Sequence, residues 1–79
     1  MKVLFFAGSR ELSGVAEADL AITEKLSATE VWDRLIREYP KLAGLRTSAR
    51  LAQNGAYSAA DSEFTNGDEV AVIPPVSGG

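Results

Sequence analysis

The residues of this 79-residue sequence best suited to unusual chemistry lie in its last segment, "DEVAVIPPVSGG" (residues 68–79). A strand-like apolar run is followed by Pro74 and Pro75. Proline fixes φ and donates no backbone hydrogen bond, so the pair ends a strand and directs the chain out of any sheet. We therefore expect a stiff exit from the folded part of the chain.

The residues after this exit end in a backbone without side chains. Six residues from Pro74 can span about 20 Å when extended. A Gly-Gly end has the smallest cross-section of any peptide, which suits a narrow channel that presents the carboxylate of Gly79 to chemistry performed elsewhere. The segment that would enter such a channel comprises Pro74, Pro75, Val76, Ser77 and Gly78. The alternative is an ordinary disordered terminus.

The composition argues against a self-contained active site. The sequence has no cysteine and no histidine, which removes the thiolate nucleophile, the usual general base and the commonest metal ligands. We expect no metal site, no bound cofactor and no enzymatic activity of the chain alone. The net charge of −3 argues against nucleic-acid binding. The lack of cysteine favours the cytoplasm, and the apolar run near the start is too short for a signal peptide or a membrane span.

Two of the predicted strands lie at the two ends of the sequence. Residues 2–7 are apolar after Lys2, and residues 69–73 form a second, nearly all-apolar run. Residues 16–22 alternate between polar and apolar types, which predicts a half-buried strand. Residues 8–14, "GSRELSG", are interpreted as a turn between the first two strands.

One main helix is predicted after the segment "SATE". Ser27 and Glu30 have the capping-box spacing that starts a helix. Pro40 ends it, because the residue before a proline is disfavoured in helical geometry. Between them a single apolar stripe follows helical spacing: Val31, Trp32, Leu35, Ile36 and Tyr39. In a domain with one helix, this stripe is needed for the core.

Two Asn-Gly pairs predict turns in the second half of the chain. Asn54-Gly55 lies between two strand-like pieces and is a strong hairpin signal. Asn66-Gly67 precedes the last strand. The long connection that carries the helix lets the first and last strands pair in parallel at the centre of one sheet. The predicted class is α+β, a ubiquitin-like β-grasp with a mixed sheet and one main helix on one face. We predict a domain over residues 1–73 and an extended, flexible Gly-Gly tail over residues 74–79.

A single helix covers only one face of such a sheet. Charged Lys2 and Glu69 should not lie beneath it, so alternation directs their neighbours of the same parity away from the core. The predicted open face therefore carries Leu4, Phe6, Ala71 and Ile73, joined by Tyr57. An apolar face of this kind usually marks an interaction surface. The alternative is that a loop, such as residues 42–48, covers it.

Three segments together resemble one known family. "GDEVAVIPPVSGG", "KVLFFAGSREL" and "LAQNG" occur where the small, sulfur-carrying subunit of molybdopterin synthase has similar segments. The resemblance spans the whole chain, and the tail motif is specific. The thiamine-pathway sulfur carrier shares the fold and the Gly-Gly end but is usually shorter and lacks the Pro-Pro-Val-Ser-Gly-Gly run. Gln53 departs from the family, in which an apolar residue often precedes the asparagine, so the local hairpin packing is in doubt.

The resemblance implies a mechanism that acts through Gly79. A partner of the ubiquitin-E1 type would use ATP to adenylate the Gly79 carboxylate, and a persulfide sulfur would displace AMP to give a thiocarboxylate. The tail would then enter the large synthase subunit, within a heterotetramer, and deliver sulfur to cyclic pyranopterin monophosphate. The resemblance also assigns Phe6, Tyr57 and Ile73 to the apolar docking surface of the family.

Other functions share the same fold and tail. One is a sulfur carrier for thiamine synthesis or tRNA thiolation, and another is a ubiquitin-like modifier that forms isopeptide bonds through Gly79. Fold and residue chemistry do not separate these classes, whereas the tail motif favours molybdenum cofactor biosynthesis.

Overall fold

The first and last strands lie side by side and run parallel in a computed structural model of the chain, which describes residues 1–75. In chain order the elements are β1 (Lys2–Phe5), α1 (Gly8–Ser13), β2 (Glu17–Asp19), β3 (Leu26–Ser27), α2 (Ala28–Glu38), a 3-10 helix (Pro40–Leu45), β4 (Arg50–Gln53), β5 (Ala56–Tyr57), β6 (Glu63–Phe64) and β7 (Glu69–Ile73).

The main sheet has five strands in the order β2-β1-β7-β4-β5. The parallel pair β1–β7 lies within it, and β2, β4 and β5 add antiparallel neighbours on either side. The predicted mixed sheet with parallel first and last strands is therefore confirmed. The fold is the ubiquitin-like β-grasp.

Burial alternates along the two central strands as the sequence predicts. Val3, Phe5, Val70 and Val72 are buried and share one hydrophobic core with residues of α2. The ring of Phe5 makes an edge-to-face contact with Tyr39, with 5.4 Å between the ring centroids. The helix therefore packs on this face of the sheet.

The start of α2 is set by its capping box. The Ser27 hydroxyl accepts a hydrogen bond from the Glu30 N–H at 3.1 Å, and the Ser27 N–H donates to the Glu30 carboxylate at 2.9 Å. These two bonds give hydrogen-bond acceptors to two backbone N–H groups that would otherwise be unpaired at the start of the helix. From this fixed start the predicted stripe faces the sheet, with Val31, Trp32 and Leu35 buried.

The β4–β5 hairpin turns at Asn54-Gly55, as predicted. Both residues have positive φ, 51° for Asn54 and 89° for Gly55. A two-residue turn with positive φ at both positions has the twist that matches flanking strands, and asparagine and glycine tolerate that geometry best. The pair therefore fixes the register in which Tyr57 lies opposite Ala52.

The interpretation of residues 8–14 as a turn is wrong for most of that segment. Gly8–Ser13 forms the short helix α1, which ends where Gly14 adopts φ 81° and donates its N–H to the Arg10 carbonyl. A six-residue helix is too short to be stable alone, so its sequence signal is weak and its contacts with the rest of the fold decide its conformation.

The longest helix in residues 1–75 is α2, and none there is long and apolar enough to cross a membrane.

The structure also contains a second sheet of two strands, whereas the sequence predicts only one sheet. Strands β3 and β6 pair in antiparallel register, with Leu26 opposite Phe64. Both of these side chains are buried in the same core as Leu35. The pairing extends the core at the edge of α2, and two-residue strands leave too short a pattern to be recognised in a sequence.

The carboxylate of Asp68 links the start of β7 to the β4–β5 hairpin. Its Oδ2 accepts from the Thr65 N–H at 2.8 Å and from Gln53 Nε2 at 2.9 Å, and its Oδ1 accepts from Asn54 Nδ2 at 2.9 Å. These bonds, the one from Thr65 first, lower the pKa of Asp68 below its ordinary value of 3.8. The polar residue at position 53 thus has a local purpose in this network.

Replacing Asp68 should make the stability difference from the native protein depend on pH. A carboxyl whose pKa is lowered by folding stabilises the fold above its unfolded pKa, and this contribution is lost as the pH falls through the folded value. We expect Asp68→Asn to lower the free energy of unfolding at neutral pH, because the amide has one acceptor oxygen in place of two and turns its NH2 group toward at least one of the three donors. The difference should narrow as the pH drops below the ordinary value of 3.8.

Urea unfolding at a series of pH values measures this difference. Asp61→Asn is the matched control, because Asp61 is exposed and makes no side-chain hydrogen bond within residues 1–75. A difference between Asp68→Asn and the native protein that stays constant down to low pH would show that the carboxylate charge is not responsible.

Candidate docking face and tail exit

The face of the main sheet opposite α2, called the open face below, presents a continuous row of uncharged side chains. The strand registers pair Leu4 with Ala71, Ala71 with Ala52, and Ala52 with Tyr57. Directly paired residues point to the same side of a sheet, so these four lie in one row across four strands. Tyr57 at the end of the row is 57% exposed.

A second row lies nearer to the end of β7. Ile73 is paired with Arg50, and Phe6 follows the pair Phe5–Val72, so that alternation brings Phe6 to the side of Ile73. Phe6 is 49% exposed, and Ile73 is partly buried. The three residues predicted for the docking surface, Phe6, Tyr57 and Ile73, therefore lie on one face, two of them as its large exposed hydrophobic residues.

The opposite end of the same face is charged. Lys2 is paired with Glu69 on one side and with Asp19 on the other. Its ammonium group lies 3.4 Å from the Glu17 carboxylate, an exposed ion pair. The open face thus carries the hydrophobic side chains of Phe6 and Ile73, beside Arg50, at the end where β7 finishes, called its apolar end below, and the charged Lys2, Asp19 and Glu69 at the end where β7 begins.

The buried hydroxyl of Ser9 connects the ends of β1 and β7. It accepts from the Phe6 N–H at 2.9 Å, and its own proton is within reach of the Phe6 carbonyl at 2.7 Å and the Val72 carbonyl at 3.3 Å. The intervening Ala7 has φ 49°, a left-handed value that is uncommon for alanine. This tight turn holds the backbone of Phe6 next to that of Val72, one residue before β7 ends.

The chain leaves the sheet beside the apolar end of the open face. Strand β7 ends at Ile73, and the partly buried Pro74 and the exposed Pro75 follow outside it. The predicted strand end at the Pro-Pro pair is confirmed. The remaining residues of the predicted tail, Val76, Ser77, Gly78 and Gly79, lie outside the described residues.

Two residues of this face escape the sequence prediction. The Phe5 N–H donates to the Ala16 carbonyl at 2.9 Å, which continues the β1–β2 pairing by one residue and places Val15, 38% exposed, next to Phe6. Arg50 lies on the other side, with its guanidinium carbon 4.0 Å from the centre of the Tyr57 ring. Only the strand registers bring these two residues to the patch, so no local pattern identifies them.

Residues 42–48, the alternative cover for the open face, lie on another side of the domain. The 3-10 helix Pro40–Leu45 packs against α1 and α2, and its Leu42 is fully buried in the core. The segment therefore closes the helical side of the domain. Phe6 and Tyr57 remain exposed.

The described part of the chain offers no obvious place for a metal ion. Within residues 1–75, no group of three or more histidine, cysteine, aspartate or glutamate side chains is arranged to hold one. Every buried side-chain nitrogen or oxygen in that part has a hydrogen-bond partner.

Adjacent phenylalanines should respond very differently to the same substitution. Phe5→Ala removes a buried ring and should lower the free energy of unfolding by about 3–5 kcal/mol. Phe6→Ala removes a half-exposed ring and should lower it by no more than about 1 kcal/mol. Urea unfolding of the two variants measures both values, and equal losses would mean that Phe6 belongs to the core.

Comparison with known proteins places the chain in a family. The model of the ThiS family matches residues 3–79. The molybdopterin synthase sulfur carrier subunit of Anopheles gambiae is 44% identical over all of this chain and 91% of its own length, and that of Arabidopsis thaliana is 37% identical over all of this chain and 82% of its own. The crystal structure of SAMP1 from Haloferax volcanii superposes with a TM-score of 0.84 at 25% identity, covering 99% of this chain and 97% of the other. The chain therefore belongs to the ThiS family, in which its similar curated relatives are molybdopterin synthase sulfur carrier subunits.

Proposed function

We propose that this chain is the sulfur carrier of molybdenum cofactor biosynthesis and that it works as the small subunit of molybdopterin synthase. The observation that carries the proposal is the position of the tail exit, at the edge of an exposed apolar patch, in a chain whose relatives are named as sulfur carrier subunits of that synthase.

The reacting group in this proposal is the terminal carboxylate of Gly79. An ionised carboxylate is a poor acyl donor, because oxide is a poor leaving group. An activating partner of the ubiquitin-E1 type would therefore transfer AMP from ATP to this carboxylate and release pyrophosphate. The outer sulfur of a persulfide on a sulfur donor then attacks the acyl group and displaces AMP, which gives an acyl disulfide. A thiol of the donor attacks the S–S bond, so that a disulfide forms on the donor and a thiocarboxylate is left on Gly79.

In the second stage the thiocarboxylate delivers its sulfur to cyclic pyranopterin monophosphate. The large synthase subunit would supply the catalytic groups and the channel for the tail. Since the sequence has neither cysteine nor histidine, the sulfur is carried by the backbone terminus itself. Two deliveries would build the dithiolene of the product.

The folded part of the chain has a positioning role in both stages. The apolar end of the open face lies next to Ile73, the last residue of β7, so a partner that binds Phe6 and Tyr57 also meets the start of the tail. Pro74 and Pro75 restrict the direction in which the chain leaves. Binding of the face would therefore deliver the terminus to a fixed place, which is the chief contribution that a carrier can make to the rate.

A second function uses the same carboxylate. The Haloferax volcanii neighbour belongs to proteins titled small archaeal modifier protein 1. A modifier would pass its activated carboxyl to a lysine amine and form an isopeptide bond. The two functions differ in the fate of Gly79, sulfur in one and an amide nitrogen in the other.

Mass spectrometry of the terminal peptide tests the proposal. After incubation with the activating enzyme, ATP and a sulfur source, we expect the peptide that contains Gly79 to have one oxygen replaced by sulfur. Deletion of Gly79, or Gly78→Val, should abolish sulfur transfer and leave the melting temperature unchanged. Deletion withdraws the carboxylate by about 3.3–3.6 Å, and an error of about 1 Å can cost roughly a hundredfold in rate.

The controls separate loss of the tail from loss of binding. Phe6→Asp retains Gly79 and should reduce the yield of thiocarboxylate through weaker binding, so that excess activating enzyme restores it, whereas no excess restores the deletion variant. Sulfur found away from Gly79, or a deletion variant that still supports molybdopterin synthesis, would refute the proposal. An isopeptide-linked product without thiocarboxylate would favour the modifier function.

A further inference from the structure

Arg50 is a cation at the apolar end of the open face. It is exposed on β4, where it is paired with Ile73, the last residue of β7. Its guanidinium carbon lies 4.0 Å from the centre of the Tyr57 ring, well within the distance of a cation–π contact. The charge is therefore held against one of the two large exposed rings of the patch.

This charge has no carboxylate partner in the described part of the chain. The ion pairs found within residues 1–75 join Met1 to Asp19, Lys2 to Glu17, and Arg46 to Asp33. Lys2 is on the same face, but its charge is compensated by Glu17. Arg50 also makes no side-chain hydrogen bond to the described residues. Its N–H groups are therefore available to a ligand that approaches the open face.

The contact with Tyr57 prepares Arg50 for such a ligand. A guanidinium group has five N–H donors in a planar fork that matches both oxygens of a carboxylate. A side chain that is already held over a ring loses less conformational freedom on binding than a free one.

The two ends of the open face differ in charge, and this difference would orient a partner that binds Arg50. Asp19 and Glu69 are at the end where β7 begins, and Glu17 lies beside Leu4 on the edge strand β2, whereas Arg50 is at the end where the chain leaves the sheet. A carboxylate on a partner is attracted to the exit end and repelled at the other. Rim charges of this kind orient an encounter and determine which partners are accepted.

We propose that Arg50 binds an aspartate or glutamate at the rim of the apolar surface with which the large synthase subunit receives the open face, and that this ion pair orients the partner over the tail exit. The proposal rests on the proposed function, since it names a contact of the same docking face. It assigns to the partner a surface that is apolar opposite Phe6 and Ile73 and acidic opposite Arg50.

Binding of the large subunit to charge-neutral variants tests this assignment. Isothermal titration calorimetry should show that Arg50→Gln raises Kd about tenfold at low salt, the size expected for one charged hydrogen-bonded contact. The effect should shrink between about 0.01 M and about 1 M salt, over which the screening length falls from about 30 Å to about 3 Å. Arg50→Lys keeps the charge without the fork and should lie between the two.

Lys2→Gln is the matched control, because it removes a cation from the same face at the opposite end. It should leave Kd unchanged within about twofold, because Lys2 is already paired with Glu17. Circular dichroism confirms that each variant is folded. Unchanged binding of Arg50→Gln, an equal loss in Lys2→Gln, or a loss that does not depend on salt would overturn the ion pair.

Two further measurements separate this proposal from the one on which it rests. If Phe6→Asp binds the large subunit as well as the native chain does, the docking face itself is wrong. If Phe6→Asp weakens binding and Arg50→Gln does not, only the role of Arg50 is wrong. A loss by Arg50→Gln toward the activating enzyme alone would overturn the choice of partner.

Discussion

The parallel pairing of β1 with β7 determines which side chains are buried in the core and which are on the open face. Its register, from Lys2 opposite Glu69 to Phe5 opposite Val72, puts residues of the same parity from both ends of the sequence on the same face. One parity supplies Val3, Phe5, Val70 and Val72 to the core under α2. The other parity forms the open face. A shift of one residue in either strand would exchange the two sets and bury charges beneath the helix.

The same pairing places the end of β7 beside the open face. Because β7 is the last strand and is central, its end is surrounded by residues of β1 and β4. Ser9 fixes the neighbouring backbone through its bonds to Phe6 and Val72, and the two prolines follow directly. A carrier whose chemistry occurs at a terminus needs the terminus and the binding surface in a constant relation. In this chain, the end of β7 at Ile73 and the following Pro74 have a fixed position beside the open face, because β7 is at the centre of one sheet.

The sequence predicts those parts of the fold in which local chemistry and periodicity agree. The capping box at Ser27, the turn at Asn54-Gly55 and the alternation in the two central strands all occur as predicted. The prediction is wrong for α1 and omits the β3–β6 pair. A six-residue helix with no side-chain cap and strands of two residues depend on tertiary contacts, which leave no local pattern.

Some residues of the candidate site can likewise be predicted from the sequence, and others cannot. Phe6 and Ile73 follow from parity, because each belongs to a central strand or its continuation. Arg50 and Val15 join the patch only through the registers of β4 and β2, which depend on the hairpin turn and on a backbone bond to Phe5. The strand register determines which side chains from neighbouring strands meet on a face. This register cannot be read from a single sequence.

An NMR titration of the labelled chain with the unlabelled large subunit would test most directly whether the open face docks the partner. We predict that the amide signals of Leu4, Phe6, Tyr57 and Ile73 change on binding, together with those of the tail. The signals of the outer side of α2, such as Asp33, Arg37 and Glu38, should remain in place. Changes confined to α2, with the signals of the open face unaltered, would contradict the account.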